Sequence, residues 1–123
     1  MPPKKKKFHE TIKDQEHFRK VVSGENGLLT VIDCHLEWCG PCKVIEPNYQ
    51  NIWFSIDNPE SRLAFWQASE ETIPEEYKSR VKLSVIPSFM IWAGGEIKKV
   101  VEGAKYVDLN QAVLENIPEG PDE

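Results

Sequence analysis

The sequence predicts an α/β fold with a mixed sheet, and three observations support this prediction. Segments typical of strands and helices alternate along the chain, which ends in a hairpin followed by a helix. Residues 28–36 are largely apolar, as expected of a strand that is covered on both faces. A length of 123 residues fits one domain with a single hydrophobic core.

The first third of the chain predicts a strand, a helix and the central strand. Residues 8–12 form a plausible short edge strand, and Asp14 then provides a side chain that can cap a helix. This helix should end near residues 23–24, and its apolar face consists of Phe18, Val21 and Val22. Residues 28–36 follow as the central strand.

The middle of the chain predicts a long helix, a strand and a short helix. The long helix covers about residues 39–56, with Ile45, Tyr49, Ile52, Trp53 and Ile56 at helical spacing. Pro47 removes one backbone donor within it, so a kink is expected. Asn58-Pro59 indicates a turn. Residues 62–68 are predicted to form a strand buried on both faces. Pro74 is predicted to start a short helix that continues through Tyr77 and Val81.

The last part of the chain predicts a hairpin and a helix. Strands at 87–92 and 96–101 are joined by a tight turn at Gly94-Gly95, and Lys98 and Lys99 protect the second strand as a sheet edge. Asp108 is predicted to cap a final helix that stops before Pro118. Its core-facing residues are Leu109, Ala112, Val113 and Ile117.

The segment Trp38-Cys39-Gly40-Pro41-Cys42 carries the chemistry of the chain. Two cysteines separated by two residues, at a junction between a strand and a helix, are typical of a redox site. The amino end of a helix presents unpaired N–H groups and the positive end of its dipole, which stabilise a thiolate. We therefore expect Cys39 to have a lowered pKa and to be the attacking nucleophile.

Three other interpretations of the cysteine pair were weighed. A zinc site needs a second ligand pair, but Cys34, His9, His17 and His35 are not spaced as one. A structural disulfide remains open, although so short a loop gives little stabilisation. A c-type haem site requires histidine directly after the second cysteine, where this chain has Lys43.

The motif resembles the active site of the thioredoxin family, residue for residue from Trp38 to Lys43. The resemblance continues outside the motif, with Asp33 where thioredoxins carry a buried aspartate and Pro47 where they carry a helix-kinking proline. Further similar segments are Ile86-Pro87-Ser88-Phe89, which resembles the cis-proline segment, Gly94-Gly95-Glu96 and Gly103-Ala104. The resemblance covers residues 8–117. It therefore defines a thioredoxin domain between a basic tail at 1–7 and an acidic tail at 118–123.

The resemblance implies a thioredoxin fold, a central mixed sheet flanked by helices on both faces, and thiol–disulfide oxidoreductase activity. Cys39 attacks a protein disulfide, Cys42 resolves the mixed disulfide, and Asp33 accepts the proton of Cys42. Because Asp33 lies in an apolar strand, burial should raise its pKa. No bound cofactor is implied beyond the redox-active Cys39-Cys42 disulfide, with electrons from a thioredoxin reductase or a thiol pool.

The resemblance also implies a substrate groove around the nucleophile. Gly40 lets a substrate backbone approach closely, Pro41 suits a first helical turn, and Pro87 is expected to have a cis peptide bond. The predicted motif and groove residues are Trp38, Gly40, Pro41, Ile86, Pro87, Gly103 and Ala104.

Several positions depart from the family pattern. Phe65 is aligned where a lysine often lies across from the buried aspartate, which removes a cation that would lower the pKa of Asp33. Glu102 replaces a usual apolar residue, so the groove should favour basic substrates or repel acidic ones. Cys34 is expected to be a small buried side chain without redox function.

The lysine-rich start, the segment Leu29-Thr30-Val31-Ile32-Asp33 and the altered groove are similar to ciliary thioredoxin-like proteins, among them light chains of outer-arm axonemal dynein. This narrower resemblance implies an alternative function as a docked subunit. Its partners would be a dynein heavy chain or other axonemal subunits, in a cilium.

Composition and charge argue against several other functions and locations. The formal net charge of −5 argues against nucleic-acid binding, and no apolar run is long enough to span a membrane. The basic start lacks the apolar segment of a secretory signal, and three cysteines suit a reducing compartment. We therefore predict a cytoplasmic protein. No metal site is predicted, because the cysteine pair lacks a second pair of ligands.

Overall fold

The computed structural model of this chain describes residues 10–25, 27–35, 42–57, 59–81, 88–103 and 105–118. The predicted boundaries of the two tails depend on residues beyond these ranges and stay predictions.

The chain begins with a short strand and a capped helix. Strand β1 is Glu10–Thr11, and its predicted start at Phe8 lies outside the described residues. Helix α1 is Gln15–Val21. The Asp14 side chain accepts a hydrogen bond from the backbone N–H of His17 at 2.7 Å, which satisfies one of the helix's unpaired donors. The predicted cap is therefore confirmed.

Two long strands flank the second helix in sequence. Strand β2 is Leu29–His35, helix α2 is Cys42–Phe54, and strand β3 is Leu63–Ser69. A single 3₁₀ turn at Pro59–Ser61 leads into β3, close to the predicted turn. The kink expected at Pro47 stays a prediction, since the side chains at the start of α2 are not described.

A second 3₁₀ turn, Glu70–Thr72, follows β3 and precedes helix α3, which is Glu75–Lys78. Pro74 occupies the position just before α3, close to the predicted helix start. The helix ends before the predicted Val81, although the Val81 side chain is buried as the pattern required.

The hairpin consists of strands β4, Ser88–Ala93, and β5, Glu96–Glu102. Gly94 and Gly95 join them with φ values of 59° and 81°, a left-handed conformation that glycine adopts without steric cost. The tight turn predicted at these two residues is confirmed.

Helix α4 is Tyr106–Asn116, which corrects the prediction that Asp108 caps it. The cap position is Lys105, and Asp108 lies in the first turn of the helix. Tyr106 packs against the core, so tertiary packing places the helix start three residues earlier in the chain than predicted. In the first turn the Asp108 carboxylate still interacts favourably with the helix dipole. The helix ends before Pro118, as predicted.

The five strands form one mixed sheet in the order β1-β3-β2-β4-β5. Strand β2 is central, parallel to β3 and antiparallel to β4, while β1 and β5 form the edges. This arrangement confirms the predicted central strand and both predicted edges.

Helices cover both faces of the sheet, which confirms the predicted layers. One face packs against α2 and α4, around Leu29, Val31, Tyr49, Ile52, Phe65, Phe89, Ile91, Leu109 and Val113. The other packs against α1, around Ile12, Phe18, Ile32, Cys34, Ile73, Met90 and Trp92. Within the described ranges, no helix combines the length and apolar character required to cross a lipid bilayer.

Candidate active site

The cysteine motif connects the end of β2 to the start of α2. Strand β2 ends at His35, and α2 begins at Cys42. The backbone of Cys42 is thus the first turn of a helix, where N–H groups have no partner within the helix. The predicted Trp38, Cys39, Gly40 and Pro41 lie outside the described residues, and the side chain of Cys42 is likewise not described.

Three strand ends meet beside this junction. Ser88 at the start of β4 pairs with Cys34 near the end of β2, and also with Glu102 at the end of β5. The segments that carry the predicted groove residues leave from these ends. Ile86 and Pro87 directly precede Ser88, and Gly103 directly follows Glu102, with Ala104 next in sequence.

Of these groove residues, the structure describes only Gly103, which has a φ of 82° where the chain turns from β5 toward α4. Ile86, Pro87 and Ala104 lie outside the described residues, so their predicted roles and the cis bond stay predictions. The cysteine motif, the Ile86-Pro87 segment and the Gly103-Ala104 segment each adjoin a strand end in sequence. The topology places these three strand ends at the same end of the sheet.

Asp33 is a buried acid close to this end of the sheet. It is 2% exposed and lies on β2 between Phe89 of β4 and Gln67 of β3. Burial raises the pKa of its carboxyl from 3.8 to about 7. Oδ1 has no hydrogen-bond partner among the described residues. A carboxyl with this pKa can both hold and release a proton near neutral pH.

The register corrects the alignment of Phe65. Phe65 pairs with Val31, and Gln67 is the residue beside Asp33. The expected consequence is unchanged, because the residue beside Asp33 is an uncharged amide. Phe65 instead stacks on Tyr49 of α2, with ring centroids 4.2 Å apart.

Cys34 is fully buried on the opposite face of β2 from Asp33. Burial, with a smaller contribution from the Asp33 carboxylate, raises the pKa of its thiol. Thiolate is the reactive form of cysteine, so Cys34 is chemically inert in this state. The prediction of a small buried side chain is confirmed.

Sequence reasoning missed Gln67 and Ser88 as neighbours of the site. Ser88 is fully buried and pairs with both flanking strands at the end nearest the motif. A polar residue directly after Pro87, at the start of an apolar strand, was the available signal. Gln67 gave no signal, because only the strand register places it beside Asp33.

No group of three or more His, Cys, Asp or Glu side chains in the described part of the chain is arranged to hold a metal ion. Both motif cysteines fall outside this test, so the expectation of a metal-free site stays a prediction.

Known proteins with similar sequences include a chloroplast thioredoxin and a dynein light chain. The chain is 31% identical to Thioredoxin F1, chloroplastic, of Arabidopsis thaliana over 100 residues, or 81% of this chain and 54% of that protein. It is 29% identical to the flagellar outer-arm dynein 14 kDa light chain of Chlamydomonas reinhardtii, over 88% of this chain and 81% of that one. The chain spans about half the length of the chloroplast thioredoxins that it matches.

A solved structure of thioredoxin from Trypanosoma brucei brucei superposes with a TM-score of 0.64 at 28% identity, covering 85% of this chain and 87% of that one. The sequence model of the family described as Thioredoxin matches residues 8–115. Sequence and topology agree over the same domain, and the chain belongs to the thioredoxin family.

Proposed function

We propose that this protein is a thiol–disulfide oxidoreductase that reduces protein disulfides with Cys39 and Cys42. The observation that carries the proposal is Asp33, a buried carboxyl with a pKa of about 7 near the strand end that leads into the motif. Strongly shifted acids of this kind are concentrated at functional sites. Membership of the thioredoxin family supports the same activity.

The proposed cycle has two steps. The Cys39 thiolate attacks one sulfur of the substrate disulfide, forming a mixed disulfide while the first substrate thiolate leaves. Cys42 then transfers its proton to the Asp33 carboxylate and attacks the sulfur of Cys39. The second substrate thiol leaves, and two electrons have passed to the substrate. A thioredoxin reductase or a thiol pool returns the Cys39-Cys42 disulfide to the dithiol.

The remaining predicted residues hold the substrate in this proposal. Ile86 and Pro87 line one side of the nucleophile, and Gly103 and Ala104 line another. Trp38 contributes apolar surface, Gly40 admits a substrate backbone, and Pro41 directly precedes α2 in sequence, where a proline removes no helical hydrogen bond.

Turnover of insulin disulfides tests the proposal. The wild type should catalyse reduction with thioredoxin reductase and NADPH, or with dithiothreitol as a reductase-independent electron source. Cys39→Ser should abolish this turnover. Cys34→Ala is the matched control, since it removes a buried cysteine outside the motif, and should retain it. Folded wild-type protein that turns over with neither electron source would refute the proposal.

A second candidate function is that of a docked subunit of outer-arm dynein. The supporting observation is large exposed apolar side chains on α2 and α4: Phe54 is 76% exposed, Val107 81% and Leu114 54%. Exposed apolar side chains are typical of interaction sites where they form a contiguous patch. The similarity to the Chlamydomonas light chain supports the same function and a ciliary location.

Native size in cell extract separates the two functions. A free cytoplasmic oxidoreductase should elute near its mass of 14.1 kDa, whereas a subunit should elute with a large complex. In the second case, Val107→Asp combined with Leu114→Asp should release it into the small fraction. Elution near 14 kDa for the wild type in ciliated cells would exclude stable docking.

A further inference from the structure

A second concave surface lies on the opposite face of the sheet from Asp33. This hairpin groove encloses about 350 Å³ and is lined by Tyr77, Arg80, Trp92, Gly95, Glu96 and Ile97. It is formed where the end of α3 faces the β4–β5 hairpin.

The floor of the groove is a set of packed aromatic rings. Trp92 is 3% exposed and meets Tyr77 edge to face, with ring centroids 4.9 Å apart. Phe18 of α1 packs against both rings, at 5.8 Å from Tyr77 and 6.2 Å from Trp92. Stacked and edge-to-face contacts of this kind stabilise the arrangement of the three rings.

Among the described residues, the groove has one buried indole N–H without an acceptor and one cation without an ion-pair partner. The buried indole Nε1 of Trp92 has no partner among the described residues. A buried indole N–H is normally hydrogen-bonded, so this one calls for an explanation. The guanidinium of Arg80 is exposed and forms no ion pair within the described part of the chain.

The carboxylates around the groove already have cationic partners. Glu96, which lines it, is 3.1 Å from Lys98. On α3, Glu75 is 3.1 Å from Lys78, and Glu76 forms two hydrogen bonds with Arg19, at 3.0 and 3.2 Å. Although the whole chain carries a net charge of −5, the unpaired charge lining this groove is the cation of Arg80.

We propose that the hairpin groove binds an acidic peptide segment of a partner protein. An apolar side chain of the segment rests on Tyr77 and Trp92, and a carboxylate of the segment pairs with Arg80. This binding goes beyond the proposed redox function and does not depend on it.

The position of the groove allows both functions at once. Trp92 pairs with Thr30 near the start of β2, whereas the cysteine motif follows the end of that strand. Trp92 also faces the side of the sheet that packs against α1, away from Asp33. A segment bound here leaves the strand ends beside the motif uncovered.

The test uses the full chain labelled with ¹⁵N and a five-residue, end-blocked peptide in which leucine is flanked by two glutamates. Matched peptides replace both glutamates with glutamine or with lysine. The four tryptophans give four indole N–H signals, and the one missing from Trp92→Phe is assigned to Trp92. If that variant does not fold, through-bond spectra of the wild type make the assignment.

The acidic peptide should shift the Trp92 indole signal in a saturable way. Arg80→Gln should weaken binding about three- to fivefold, as expected for an exposed charge pair. Lys13→Gln removes one positive charge beside the opposite edge strand and should leave peptide binding unchanged. Cys39→Ser should bind as tightly as wild type, which separates this test from the redox function.

Three results would overturn the proposal. The first is no saturable shift of the Trp92 signal with the acidic peptide. The second is equal or tighter binding of the glutamine or lysine peptide. The third is an equal loss of binding in Lys13→Gln and Arg80→Gln.

Discussion

Asp33 and Gln67 are register partners on β2 and β3, yet the Gln67 side-chain amide donates its hydrogen bond at 2.8 Å to the hydroxyl of Thr11 on β1. The amide is thus occupied at the edge strand. Burial is the cause that raises the pKa of Asp33, and no cation among the described side chains opposes it.

The stability of the reduced protein should therefore fall as pH rises. The pKa of Asp33 is about 7 in the folded chain against 3.8 unfolded, so the folded chain holds a proton that the unfolded chain releases between these values. Its stabilising contribution is complete below pH 4 and is lost as pH rises to about 7. Asp33→Asn should be more stable than wild type by about 4 kcal/mol at pH 8, and nearly equal at pH 4.

Urea unfolding with a phosphine reductant at both pH values measures this difference. Asp108→Asn changes an exposed carboxylate on α4 and serves as the control, for which no gain in stability at pH 8 is expected. An Asp33→Asn advantage that is the same at both pH values would contradict the burial argument.

A cation introduced beside Asp33 should lower the raised pKa of its carboxyl. In Gln67→Lys an ammonium group replaces the amide at the paired position, and attraction between opposite charges should lower the pKa of Asp33 by about 1 unit. The carboxyl ¹³C shift of Asp33, followed against pH, gives the value directly. Gln67→Met keeps the length without the charge, and should leave the titration midpoint nearer to that of wild type. Equal midpoints in the two variants would show that the charge does not act on Asp33.

Loss of the Asp33 carboxyl should slow one redox step and spare the other. If Asp33 accepts the proton of Cys42, Asp33→Asn should slow resolution of the mixed disulfide roughly tenfold or more at pH 7, a typical size for proton-transfer catalysis. Attack by Cys39 should keep its rate. Stopped-flow single turnovers with a fluorescent disulfide separate the two steps, with Cys42→Ser as the reference in which resolution is absent. Equal slowing of both steps would argue against this role.

The stacked pair of Tyr49 and Phe65 should be a major contributor to stability. Phe65 is 3% exposed, with its ring 4.2 Å from that of Tyr49, so Phe65→Ala should cost about 3 to 5 kcal/mol in unfolding free energy. Phe54→Ala makes the same chemical change at a side chain that is 76% exposed, and should stay within about 0.5 kcal/mol of wild type. Chemical denaturation of both variants gives the comparison. Similar losses would mean that this core packs less tightly than described.

Two glycines should differ sharply in their tolerance of alanine. Both have positive φ, 84° at Gly24 and 69° at Gly27, so each replacement incurs about 1 kcal/mol of backbone strain. A Cβ at Gly24 would also lie 2.8 Å from the backbone nitrogen of Gly95, whereas one at Gly27 meets nothing within 4 Å. Gly24→Ala should therefore cost at least about 1 kcal/mol more than Gly27→Ala. Thermal unfolding of the pair measures this, and equal losses would contradict the close approach.

Local sequence rules predicted most of the fold because the relevant signals are local. The Asp14 cap, the apolar central strand and the Gly94-Gly95 turn each depend on a few adjacent residues. The start of α4 was misplaced at Asp108 because packing of Tyr106 against the core, a tertiary contact, decides it.

In the candidate site, too, some features follow from adjacent residues and others only from the folded structure. The motif and Asp33 could be identified from sequence, since spacing and polarity mark them. The neighbours of Asp33 could not, because Gln67 reaches it only through the register of β2 and β3. The hairpin groove gave no sequence signal either, because its lining comes from α3 and from two strands that meet only in the folded chain.

The strand order also bears on how the chain folds during its synthesis. Strand β2 lies at the centre of the sheet, but both of its neighbours, β3 and β4, are synthesised after it. A ribosome therefore releases an apolar strand with one edge unpaired until β3 has emerged and the other edge unpaired until β4 has emerged. The sheet is complete only after β4 and β5 have emerged, and a chain truncated before Ser88 would leave one edge of this apolar strand exposed to aggregation.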